Sequence, residues 1–138
     1  MKEMKSVCRI AVVQAAPVLF DKVGCTQKAI ELIRTAAGQG AELVVLPELF
    51  IPGYPYGMTF GFTVGARSEA GRLDWMRYYE NSILVPGEET AALSKTAAEL
   101  GVYVSIGVSE RDALTATLYN TNLIFAPDGT LESVHRKL

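Results

Sequence analysis

The chain has 138 residues, 49% of them hydrophobic and 20% charged, which suits one globular domain with a sizeable core and excludes a disordered chain. Thirteen basic against fifteen acidic side chains leave a formal charge of −2, so no basic field announces nucleic acid or an anionic membrane as a partner. No apolar run approaches the roughly 18 to 20 residues that span a bilayer, and the opening Met1–Ser6 leads into a segment carrying Arg9 and Gln14, a poor secretory signal; a cytoplasmic address is expected.

Cys8 to Ala15 is compact, β-branched and bounded by Pro17, which predicts a first strand. Asp21 is placed to cap a helix that turns Val23, Ala29, Ile30, Ile33 and Ala37 to one face and stops at Gly38 and Gly40. Leu43-Val44-Val45-Leu46 is a continuous apolar run ended by Pro47, as in a strand buried on both faces. Strand, helix and strand in that order predict a parallel right-handed unit. Chemistry in such sheets gathers beyond the carboxyl ends of the strands, where Glu48 stands.

Phe50 to Gly65, rich in Gly, Pro and aromatic residues, reads as a long shaped loop. Leu73 to Ser82 predicts a helix that sets Trp75, Met76 and Tyr79 into the core. After Pro86-Gly87, a further helix turns Leu93, Ala97 and Leu100 inward and stops at Gly101. Tyr103–Val108 reads as a strand. Tyr119–Phe125 and Thr130–His135 flank Pro127-Asp128-Gly129, a turn signal that predicts a β-hairpin. No repeat or linker divides the chain, so a single α/β domain over residues 1–138 is expected. It ends straight out of a strand, as an interrupted domain would.

Two cysteines without metal or disulfide spacing read as buried free thiols, and the lone His135 has no ligand cluster around it; no metal is expected. The glycines near Tyr56–Gly61 lack a phosphate-binding Gly-Lys-Ser/Thr, and the turn after the first strand lacks G-x-G-x-x-G, so no nucleotide cofactor is expected either. Glu48 and Lys137 remain, each at the exit of a predicted strand. Such a pair can act as a general base with an electrostatic partner, or be an ordinary ion pair.

Pro47-Glu48-Leu49-Phe50-Ile51-Pro52-Gly53-Tyr54-Pro55 resembles the segment that carries the catalytic glutamate in the nitrilase superfamily of carbon-nitrogen hydrolases, and His135-Arg136-Lys137-Leu138 is similar to that family's lysine motif. Val12–Pro17, Val85-Pro86-Gly87 and Leu118-Tyr119-Asn120-Thr121 match further family segments, in family order, from about Arg9 onward. The resemblance implies a four-layer α-β-β-α sandwich, of which this chain would be the C-terminally truncated first half. It also implies hydrolysis of a nitrile to a carboxylic acid and ammonia through a Glu-Lys-Cys set in which Glu48 moves protons and Lys137 stabilises tetrahedral intermediates.

Neither Cys8, at the start of a strand, nor Cys25, inside a helix, suits the role of nucleophile, so the cysteine is expected beyond Leu138. Tyr54 either contacts substrate or packs its ring. Partners implied are a small nitrile or amide and further copies of the same chain in a homo-oligomer. An amidase or carbamoylase of the same superfamily is the alternative reading, and a non-catalytic binding module the alternative of a different class.

Overall fold

A computed structural model describes residues 7–56 and 68–138. In chain order the elements are β1 (Ile10–Val12), α1 (Lys22–Gly38), β2 (Leu43–Val45), α2 (Glu69–Asn81), α3 (Glu88–Leu100), β3 (Tyr103–Arg111), β4 (Leu118–Phe125) and β5 (Leu131–Arg136). The strands form one sheet in the order β1-β2-β3-β4-β5. β1, β2 and β3 run parallel, with Ala11 opposite Val44 and Val44 opposite Val104, while β3, β4 and β5 are antiparallel. The expected α/β class, the parallel pairing of the first two strands and the C-terminal hairpin are all present.

Period-two alternation gives the sheet two unlike faces. One carries Val44, Val104, Ile106, Val108, Leu123 and Phe125, all buried, and α1 and α3 pack there through Cys25, Ala29, Ile33, Leu93 and Ala97. Asp21 caps α1 as predicted, its Oδ1 accepting from Gly24 N at 2.8 Å. Gly101 ends α3 at φ 65°, a left-handed conformation that glycine adopts without steric cost. The Pro127-Asp128-Gly129 turn is closed by the bond from Thr130 N to Asp128 Oδ1 at 2.9 Å, and Ser94 of α3 donates to the Gly129 carbonyl.

Three local expectations need correction. Val23 is 57% exposed: six residues before Ala29, it lies about 120° around the helix from the face centred on Cys25, Ala29 and Ile33. Trp75, Met76 and Tyr79 do not enter the core; Tyr78 does, edge-on to Phe20, while Trp75 and Tyr79 stack on each other half-buried. Cys8 is exposed, and only Cys25 is a buried thiol. The start of the predicted loop, Phe50–Gly53, belongs to no helix or strand, as expected. These residues are buried and Ile51 bridges to Val108 of β3, while residues 57–65 of the predicted loop lie outside the described residues.

Candidate active site

The site begins with how the chain leaves β2. Leu46 N still bonds to Ser105 O of β3 at 2.8 Å, and Gly107 N donates to Pro47 O. Residues 48–50 then swing out over the sheet, and the chain rejoins the same edge of β3 at Ile51, whose carbonyl accepts from Ser109 N at 2.7 Å. Leu49 carries the turn at φ 48°. The excursion passes so close over β3 that a Cβ on Gly107 would lie 2.6 Å from Glu48 Cα and Leu49 N. Only glycine leaves room for backbone at that distance.

Glu48 is thereby held over the face of the sheet that α1 and α3 do not cover. The alternation of β4 and β5 brings Asn120 and Lys137 to that face. Asn120 Nδ2 donates to Glu48 Oε1 at 2.6 Å and Lys137 Nζ to the same oxygen at 2.9 Å. Lys137 N also donates to Asn120 O at 2.8 Å, so the two partners of Glu48 are themselves joined.

The hydrogen bond from Lys137, followed by that from Asn120, holds the Glu48 carboxyl below its ordinary range. Reciprocally, the bond to Glu48 raises Lys137. At neutral pH the pair is carboxylate and ammonium, both accessible from solvent.

Glu48, Gly107, Asn120, Asn122, His135 and Lys137 line a cleft of about 240 Å³. A larger hollow of about 470 Å³ adjoins it at Asn120 and runs along Leu49, Tyr54, Tyr78 and Tyr119. Tyr54 is half-exposed on its rim and also shares a smaller hollow with Glu48. The structure thus brings Glu48 and Lys137 into contact and puts Tyr54 beside them. Among the described residues no group of three or more His, Cys, Asp or Glu is disposed to hold a metal ion, and no helix is long and apolar enough to cross a membrane.

The two cysteines are elsewhere. Cys8 precedes β1, at the end of the parallel strands opposite to the one Glu48 follows. Cys25 is buried in α1, where burial raises its thiol and its Sγ contacts Val18 O at 3.1 Å. Sequence reasoning missed Asn120 and Gly107 as parts of the site. A lone glycine inside the apolar run of β3 was a signal of close backbone approach. Asn120 stands in a motif that was noticed, but only the register of the hairpin shows that it faces Glu48.

The fold is thus an α/β domain in which a parallel β-α-β unit is continued by an antiparallel hairpin, and a carboxylate and an ammonium meet past the strand ends. The carbon-nitrogen hydrolase family model matches residues 9–138, and the chain belongs to that family. It is 51% identical over 130 residues to an aliphatic nitrilase of Sinorhizobium fredii (strain HH103), a match covering 94% of this chain and 41% of that protein. It is 42% identical over 133 residues to nitrilase 2 of Arabidopsis thaliana, covering 96% and 39%.

Among solved structures, Nit3 of Saccharomyces cerevisiae, a member of branch 10 of the nitrilase superfamily, superposes with a TM-score of 0.67 at 29% identity, covering 94% of this chain and 43% of that one. The chain spans about two fifths of the length of these relatives.

Proposed function

We propose that the protein hydrolyses nitriles to carboxylic acids and ammonia, with Glu48 and Lys137 as two of its three catalytic groups. The contact of Lys137 Nζ with Glu48 Oε1 at 2.9 Å, on a carboxylate held over glycine at a strand exit, is the observation that carries this reading. The similarity to proteins named nitrilases supports the choice of substrate.

In this reading a cysteine thiolate from outside residues 1–138 attacks the nitrile carbon. A carbon-sulfur bond forms, one pair of the triple bond moves to nitrogen, and that nitrogen takes a proton, giving a thioimidate. Water then adds, the tetrahedral intermediate expels ammonia, and a second water cleaves the resulting thioester to the acid and the free thiol. Glu48 is the general base for the thiol and for each water, and returns the proton to nitrogen. Asn120 and Lys137 both occupy Oε1, so Oε2 is the oxygen placed to take the proton. The Lys137 ammonium stabilises negative charge in the tetrahedral intermediates, and Tyr54 contacts the substrate from the rim of the larger hollow.

The test is to incubate the natural full-length protein with matched aliphatic and aromatic nitriles and amides, following ammonia and organic product. Acid and ammonia in equal amounts from a nitrile are expected. Turnover of amides alone would move the assignment to the amidase branch, and no turnover of either would contradict it.

A further inference from the structure

β4 and β5 meet at the site as two neighbouring dipeptides, Asn120-Thr121 and Arg136-Lys137, with Thr121 opposite Arg136. Successive side chains of a strand point to opposite faces, so each dipeptide sends one group to each side of the sheet. On one side Asn120 and Lys137 close on Glu48. On the other, Thr121 and Arg136 close on a second carboxylate, Glu110 of β3, which shares its face with Val104, Ile106 and Val108 and has a side chain only 4% exposed. Thr121 Oγ1 donates to Glu110 Oε2 at 2.7 Å, Arg136 Nε to Oε2 at 3.0 Å, and Arg136 Nη2 to Oε1 at 2.7 Å. The Arg136 guanidinium also lies over the Tyr119 ring, 3.9 Å from its centroid.

We propose that Glu110, Arg136 and Thr121 are positioning residues for the Glu48 site: a clamp on the far face of the sheet that fixes the backbone from which Lys137 and Asn120 reach Glu48. The proposal rests on the reading of Glu48 and Lys137 as reacting groups and extends it to residues on the opposite face of the sheet.

Lys137 needs such support. Its side chain is 66% exposed, it is the first residue past β5, and β5 pairs only with β4 among the described residues. An exposed lysine-carboxylate contact does little to fix a strand end by itself. The planar fork of Arg136, meeting both oxygens of a buried carboxylate, fixes direction as well as distance, and it does so one residue before Lys137. The same carboxylate takes Thr121, one residue after Asn120. An apolar residue at position 110 would fill the space as Val108 does, but would impose no such orientation.

The test uses the natural full-length protein with Glu110→Gln, Arg136→Lys and the double replacement Glu110→Gln/Arg136→Gln, which leaves no charge buried alone and so keeps a folded variant in hand. Crystal structures and kinetics normalised to folded protein are the readouts. The Lys137–Glu48 contact is expected to open and kcat to fall by about ten- to a hundredfold, with KM nearly unchanged. A purely structural role would lower the melting temperature while leaving that contact and the kcat of the folded molecules at their original values, and this result overturns the proposal. If the unaltered protein cleaves no carbon-nitrogen bond, the functional reading fails separately, and the contact seen in the variant crystals still decides: open supports the clamp, intact overturns it.

Discussion

Glu48 and Lys137 keep each other charged at neutral pH, and Asn120 adds a second donor to the same carboxylate oxygen. Glu48→Gln removes the proton acceptor at constant shape, so kcat is expected to fall by about 10²- to 10⁴-fold, the usual worth of general acid-base catalysis. Because the pair is exposed, the melting temperature should barely move, and the two measurements together separate chemistry from folding.

Asn120→Ala tests the donor. Removing a hydrogen bond to the charged form favours the neutral one, so the Glu48 pKa rises and the acid limb of the pH profile of kcat/KM moves to higher pH. An unmoved limb would show that Asn120 does not hold the carboxylate. Glu48 and Lys137 stood out in the sequence because each lies at the exit of a predicted strand, the first after the apolar run Leu43–Leu46 and the second after the alternating segment Thr130–His135. Asn120 was not, since nothing in Leu118-Tyr119-Asn120-Thr121 says which side of the sheet its amide faces until β4 is registered against β5.

The element that sets the site is the excursion of residues 48–50 over Gly107. Gly107→Ala would push a methyl group into the backbone of Glu48 and Leu49, which has no flexible side chain to give way. Overpacking of this kind costs about 1–3 kcal/mol and displaces Glu48, so both thermal stability and kcat should fall. At the start of α1, Asp21→Ala removes the cap on Gly24 N and should cost about 1 kcal/mol in denaturant unfolding with no effect on kcat.

The Glu110 clamp has its own signature. Burial pushes this carboxyl up, but the bonds from Arg136 and Thr121 outweigh it and hold the group below the ordinary range. A depressed folded value means that the stabilisation is present above the unfolded pKa, about 4.3, and is lost as pH falls through the folded one. Glu110→Gln should therefore flatten the dependence of melting temperature on pH below about 4.

Caps, turns and strands were readable here because local chemistry decides them: Asp21 before α1, Gly101 after α3, Pro127-Asp128-Gly129 in the hairpin. The inward face of α2 was not. Its sequence offers Trp75, Tyr78 and Tyr79 at competing angles, and the neighbouring Phe20 chooses Tyr78.

At the scale of the molecule, the described residues build a helical layer of α1 and α3 on one face of a mixed sheet. The core beneath them is conventional, and Leu93→Ala should cost about 2–5 kcal/mol. The opposite face carries Ile10, Val12 and Tyr103, exposed by 53%, 79% and 41%. The four-layer arrangement that the resemblance implies would place a second sheet there. Residues 1–138 expressed alone are accordingly expected to bind a hydrophobic dye and to self-associate by light scattering. A monodisperse chain with a cooperative melt would favour a self-sufficient binding module.

The apolar patterning made the α/β class readable, whereas which face stays uncovered depends on strand register and is settled only in three dimensions. Glu48 as the proton-moving group of a nitrile hydrolase is tested by the release of acid and ammonia from a nitrile by the natural full-length protein beside its Glu48→Gln variant. Turnover by the first and its loss by the second at unchanged fold are expected. Equal rates for the two would contradict that role.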